Sequence, residues 1–359
     1  MPHHAVLSSL RDFSISSAIP ALKCRAIFGR ATSDARDFFH RFGAHSFREA
    51  GVGPFPAITG SVQPPFTLSP DQIARFREDG FLAIHGLTTE EEIARLRGIY
   101  DRLFDSKVGY ERGRQLDMVS PDDSAAAPAQ LTQILNPVEF APELRETLFR
   151  KNALAVAQQL LGADATLWFE HAISKPAVHG AATPWHQDEA HRNDLGIAYQ
   201  QVSFWLPLQE ATVGNGCLRY IPGSNRGPVL THRSPNNDPR IMALECAGGF
   251  EPSRETYVPL TAGDAVVHDS LTLHGAGPNR TDTPRRAYIM AFRGAVRSAP
   301  DFQGYPWNLE KHTAADERAQ AWENRGGTTG RTARAIGGML GRFVGKIQRK
   351  AEKLIRGKD

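Results

Sequence analysis

Trp185-His186-Gln187-Asp188 is the stretch on which the fold turns, because it sets an imidazole and a carboxylate two residues apart. In a β-strand, side chains at i and i+2 leave the same face, so His186 and Asp188 converge while Gln187 points away. His274 follows 86 residues after Asp188, within Leu273-His274-Gly275-Ala276-Gly277-Pro278-Asn279, and Arg285 stands eleven residues beyond it. Two imidazoles and one carboxylate occupy one face of an octahedral iron(II), leaving the opposite face for a chelating cosubstrate and oxygen. The pattern predicts a non-haem iron oxygenase. A third ligand from so distant a strand calls for a jelly roll or another double-sheet barrel, an architecture that brings such strands together.

The distal block strengthens a triplet that by itself arises often by chance. Ala262-Gly263-Asp264-Ala265-Val266-Val267-His268 reads as a turn feeding an apolar strand, with a polar turn carrying His274 after it. His268 competes for the third ligand position. A histidine ending an apolar strand is more often a core or rim residue, and the glycine-rich turn and arginine that follow favour His274. Arg285 lies at the edge of the apolar run Ala287 to Phe292, and its planar fork matches a carboxylate such as the far end of 2-oxoglutarate. Arg286 competes with it, and neighbours on a strand face opposite sides, so only one points inward. Trp205, inside Val202-Ser203-Phe204-Trp205-Leu206, reads on its own as core packing. His191 reads as a solvated group, and Glu189 and Arg192 read equally as substrate contacts or solvated charges.

Together with a helix opening at Ser69-Pro70-Asp71, Asp79-Gly80-Phe81, Lys175-Pro176, Trp205 and Asn215-Gly216-Cys217-Leu218 running to Pro222-Gly223-Ser224, these landmarks resemble the phytanoyl-CoA dioxygenase family of iron(II)/2-oxoglutarate oxygenases. The resemblance extends over about two thirds of the chain. It implies Fe(2+), with 2-oxoglutarate and O2 as cosubstrates, and His186, Asp188 and His274 as iron ligands. It also implies Arg285 on the 2-oxoglutarate carboxylate, with Trp205, His171 and Gln133 near the cosubstrate. Members often carry a serine two residues after the distal histidine, where this chain has Ala276, so one hydroxyl contact is missing. Halide-binding enzymes of this broad type replace the carboxylate ligand with a small residue. Asp188 is retained here, so the resemblance implies hydroxylation or a related two-electron oxidation of a small-molecule or lipid-linked substrate, with succinate and CO2 released. The other class left open is a non-catalytic or hydrolytic metal-binding jelly-roll protein. Arg285 separates the two, since a zinc hydrolase needs no carboxylate fork beside its open coordination position.

Asp188-Glu189-Ala190-His191 also spells a helicase-type motif, but no Gly-x4-Gly-Lys-Ser/Thr run accompanies it, which removes that reading. At 359 residues and 41% hydrophobic, the chain holds enough apolar mass for one catalytic domain with tails. Cys24, Cys217 and Cys246 are too few for a disulfide framework and lack CxxC spacing, which predicts a reducing cytoplasmic setting. Charge is uneven: of the net +3, residues 331–359 hold +7 and residues 1–66 hold +3, leaving −7 on residues 67–330.

The spacing predicts an α+β chain: a double-stranded β-helix (jelly-roll, cupin-like) core buttressed by N-terminal helices. Residues 1–66 read as a basic N-terminal extension, 67–298 as the dioxygenase domain, 299–330 as a linker and 331–359 as a basic amphipathic helix. Ser69 and Pro70 open a first helix that Gly80 stops, and Thr89 with Glu92 forms a capping-box pattern for a second, running to about Phe104. A third spans Pro142 to Leu161, and the first barrel strand spans Ala165 to Ile173. Pro222 to Thr261 reads as a long loop, either a substrate lid or a surface excursion. In the tail, Ile336, Met339, Leu340, Phe343, Val344 and Ile347 recur at helical spacing among Arg and Lys, which suits peripheral contact with an anionic membrane or docking on protein. A single aromatic there, Phe343, gives no stacking platform and argues against nucleic acid.

Overall fold

Ser69 caps the first helix as its sequence demands: its hydroxyl accepts from Gln72 N–H, and the Gln72 side chain accepts from Ser69 N–H in return. Gly80 ends that helix in the left-handed region, φ 84°, where a Cβ would come within 2.5 Å of Thr272 Oγ1. The computed structural model describes residues 66–124 and 127–327, so the expected extension before 66 and the basic helix over 331–359 lie outside the described residues.

In chain order the elements are α1 (Pro70–Asp79), β1 (Phe81–Ile84), α2 (Glu90–Asp105), β2 (Gln115–Asp117), β3 (Thr132–Leu135), α3 (Leu148–Leu161), β4 (Thr166–Lys175) and β5 (Thr183–His186). Then come β6 (Ile197–Ala198), β7 (Gln201–Pro207), β8 (Leu218–Tyr220), β9 (His232–Arg233), β10 (Glu245–Cys246), β11 (Thr256–Val258) and β12 (Ala265–Asp269). The last are β13 (His274–Ala276), β14 (Arg285–Arg293), β15 (Arg297–Ser298), α4 (Pro306–Leu309) and α5 (Ala314–Asn324). The chain is thus a mixture of helix and antiparallel sheet, with helices early and most strands late.

Seven strands form one sheet in the order β1-β12-β7-β14-β4-β3-β2, and four form a second in the order β11-β8-β13-β5. β14 is buried on both faces, which explains its unbroken apolar run. Tyr288, Met290 and Phe292 point to one side, into a core with Ile93, Leu96 and Tyr100 of α2 and Phe149 and Val156 of α3. Ala287 and Ile289 point to the other and join Trp205, Val266, Leu218, Tyr220 and Ala276, so the two sheets share a second core. Helices therefore buttress the outer face of the larger sheet, as expected.

Two local readings change. Thr89 caps α2, but the Glu92 carboxylate turns away from it and accepts from Leu148 and Phe149 N–H, at 2.7 and 2.8 Å, capping α3 instead. The third helical stretch is a 3-10 turn over Pro142–Arg145 followed by α3, because Thr147 takes the N-cap position. Of the residues read as a linker, 299–330, those described run to 327 and include α4 and α5, with Trp322 and Ala315 of α5 buried. Among the described residues no helix is long and apolar enough to cross a membrane.

Candidate active site

β13 pairs with β5 so that His274 lies directly opposite His186, which turns both imidazoles to one side of the small sheet. Strand β5 ends at His186, and Asp188 opens a 3-10 turn, yet Gln187 keeps extended geometry (φ −112°, ψ 133°). The i, i+2 relation therefore survives the end of the strand. Asp188 Oδ1 lies 3.7 Å from Nε2 of each histidine, and one ligand atom from each of the three residues falls within 4.8 Å of the others. Gln187 points away as expected, with its amide donating to Leu271 O and Pro228 O.

The tautomers are set by the backbone. His186 Nδ1 lies 2.9 Å from Pro184 O, and His274 Nδ1 lies 2.9 Å from Thr272 O. A carbonyl only accepts, so Nδ1 carries the proton in each ring and the Nε2 lone pair is free to bind a cation. Burial lowers both imidazole pKa values, neighbouring imidazoles adding to the effect and Asp188 opposing it. Burial alone would raise the Asp188 pKa, but the His268 hydrogen bond and the fields of His274, His268 and His186 hold it well below the usual range. A neutral, neutral and anionic donor set results, one able to hold a divalent metal ion.

His268 is not the third member of this trio. It lies opposite Ser203 in the β12–β7 ladder, and both reach the outer oxygen of Asp188: Ser203 Oγ donates at 2.6 Å and His268 Nε2 lies at 3.2 Å. His268 Nδ1 is 3.0 Å from Tyr220 OH, so both ring nitrogens are engaged. Ser203 and Tyr220 carry no sequence signal for this role. A serine in an apolar strand becomes a carboxylate clamp only through the register that brings His268 beside it.

The inner face of the larger sheet carries the remaining candidates. Arg285 is 2% exposed, its Cζ lies 5.3 Å from the Trp205 ring centroid, and its Nε has no acceptor. Burial pushes its pKa down to about 10. Arg286 faces the other way and pairs with Asp101 of α2. Gln133 hydrogen-bonds His171 across β3 and β4, and burial, outweighing the pull of Asp188, lowers the His171 pKa to about 4. Lys175, directly opposite Arg285, is fully buried.

Around the trio, His191 places its ring 5.9 Å from His186 and is half-buried, where a solvated group was expected. Glu189 and Arg192 form an ion pair of 2.9 Å, and Arg192 stacks on Phe302 at 4.2 Å. The stretch from 222 to 261 is tied down beside the trio. Leu230 N–H donates to the Gln187 side chain and Gln187 N–H donates to His232 Nε2. From the C-terminal side, Trp307 Nε1 and Asn308 Nδ2 donate to Ala190 O at 2.9 and 2.8 Å.

Comparison with known proteins places the chain in a family. The family model described as phytanoyl-CoA dioxygenase matches residues 76–287. The chain is 26% identical to peroxisomal phytanoyl-CoA dioxygenase of Rattus norvegicus over 229 residues, 61% of this chain and 67% of the relative. It is 25% identical to ectoine dioxygenase of Bordetella parapertussis over 251 residues, 66% of this chain and 79% of that one. The crystal structure of EvdO2 from Micromonospora carbonacea var. aurantiaca, complexed with 2-oxoglutarate, is 37% identical with a TM-score of 0.57, covering 68% of this chain and 99% of that one. With the match spanning more than half of its length, the chain belongs to the phytanoyl-CoA dioxygenase family of 2-oxoglutarate-dependent non-haem iron dioxygenases.

Proposed function

We propose that the protein hydroxylates a small-molecule or lipid-linked substrate, using iron(II), 2-oxoglutarate and O2 and releasing succinate and CO2. In this reading the two sheets are the halves of a double-stranded β-helix. His186, Asp188 and His274 hold the iron, Arg285 takes the far carboxylate of 2-oxoglutarate, and Trp205, His171 and Gln133 line the cosubstrate pocket. The observation that carries it is the coexistence, between the same two sheets, of a neutral-neutral-anionic donor trio and a buried arginine whose Nε has no acceptor. A hydrolytic or purely structural metal site gives no reason to bury that guanidinium.

Bound iron would supply oxygen activation coupled to oxidative decarboxylation of 2-oxoglutarate. The chain supplies placement. The backbone carbonyls of Pro184 and Thr272 aim the two Nε2 lone pairs, and Ser203 with His268 turns the inner oxygen of Asp188 toward them. Trp205 and the shared core exclude water from the Arg285 end, where a charge-assisted contact is strongest. Anaerobic addition of iron(II) and 2-oxoglutarate should produce a weak visible charge-transfer band, and substrate screening should find succinate release. Protein that binds iron yet shows neither the band nor 2-oxoglutarate affinity sinks the reading.

A further inference from the structure

Arg285 on β14 and Lys175 on β4 stand directly opposite each other in an antiparallel ladder, so both side chains leave the sheet on its inner face. They are 2% and 0% exposed. Among the described residues neither forms an ion pair with a carboxylate; burial dominates the Arg285 pKa, and the Cys217 thiol opposes it. Burial pushes the Lys175 ammonium well below its ordinary range, with Arg285 the next cause and Arg219 after it. Lys175 Nζ donates to Gly277 O at 2.7 Å, which uses one of its three protons. Arg285 Nε has no acceptor, and Ala276, next to Gly277 and buried between the sheets, has no polar side-chain atom to offer. Protonating both side chains at once is costly in a buried setting unless an anion enters between them.

Resting on the 2-oxoglutarate reading above, we propose that Lys175 is a second cosubstrate-binding residue, whose ammonium shares the far carboxylate of 2-oxoglutarate with the Arg285 guanidinium. One carboxylate then gives both members of the pair an anionic partner that no described carboxylate supplies. The strand ladder, rather than a loop, sets the spacing of that pair. Lys175 therefore acts on discrimination: a 2-oxo acid lacking the far carboxylate leaves both cations uncompensated.

The test compares wild type with Lys175→Met and Lys175→Gln, each loaded with Mn(II) in place of iron so that nothing turns over. Each is titrated calorimetrically with 2-oxoglutarate and with 2-oxovalerate, which has no far carboxylate. Both variants should bind 2-oxoglutarate at least tenfold more weakly and 2-oxovalerate as wild type does. Lys175→Gln keeps a donor for Gly277 O, so a purely structural lysine predicts a loss in Lys175→Met that is equal for both acids and restored by glutamine. That result, or unchanged 2-oxoglutarate affinity, overturns the proposal. A check that needs no variant is the Nζ resonance of Lys175 in Zn(II)-loaded, 15N-lysine wild type. It should move with 2-oxoglutarate and stay with 2-oxovalerate; no movement, or the same movement with both, counts against the assignment. Wild type that binds neither acid overturns the proposed function as well, whereas variants that match a binding wild type overturn this inference alone.

Discussion

The two ends of the space between the sheets treat charge in opposite ways. At one end, Asp188 is surrounded by partners: Ser203 and His268 on its outer oxygen, and two correctly protonated histidines facing its inner one. At the other, Arg285 and Lys175 are buried without a carboxylate, and Arg285 Nε has no acceptor at all. Buried polar groups are normally satisfied, so a buried pair of cationic side chains with no carboxylate beside it needs an explanation, and a bound anion is the one proposed. The donor trio is prebuilt for an ion. The cation pair is completed only by what binds.

Substitutions at the two ends should therefore fail differently. His274→Ala carries the largest expected effect, since it removes one donor of three; high-affinity iron binding and turnover should both disappear while circular dichroism stays native. Undiminished turnover would return suspicion to His268. Next comes His268→Ala, which frees the outer oxygen of Asp188 and should weaken metal binding by roughly 10- to 100-fold, the usual effect of losing a group that orients a ligand. A loss confined to 2-oxoglutarate affinity would show that the two ends are not separable. Arg285→Ala should raise the 2-oxoglutarate requirement by about tenfold or more with iron affinity little changed, because a buried charge-assisted contact is worth on the order of 2 kcal/mol. Arg286→Ala, on the opposite face and paired with Asp101, should leave that requirement alone and alter stability by about 0–1 kcal/mol.

The smallest effect near neutrality comes from buried neutral histidines. Burial lowers the pKa of His171 and His232 to about 4, so between the ordinary imidazole value and about 4 the unfolded chain binds more protons than the folded one. Their contribution to stability is complete above about pH 6.5 and is lost as pH falls toward 4. Thermal midpoints of the metal-free protein should drop over that interval. A midpoint that held flat from pH 7 to pH 4 would mean these rings are not buried neutral in solution.

What was legible in the sequence is what depends on near neighbours. Ser69, Pro70 and Gly80 define α1 within a dozen residues, and the His186-x-Asp188 spacing states its own geometry. Arg285 was legible over Arg286 only with help from the resemblance, and the pairing of Arg286 with α2 now supplies the physical reason. Ser203, Lys175 and the true part of His268 were not legible. Each acquires its role from a cross-strand partner far away in sequence, Ser203 from His268 and Lys175 from Arg285, and register is a property of the folded sheet. Glu92 shows the same limit at short range. Its position spells a capping box, but the start of α3, 56 residues on, claims the carboxylate.

The bonds from Trp307 and Asn308 to Ala190 carry a consequence in time. They join residues 117 and 118 positions apart, so the turn that holds Asp188 leaves the ribosome well before the side chains that brace it. At about 5–20 residues per second, that interval is on the order of 10 s. His274 arrives during the same interval, so during synthesis the three donors are all present before the turn is locked. A nascent chain halted between residues 298 and 306 would own every donor of the trio and still lack its brace.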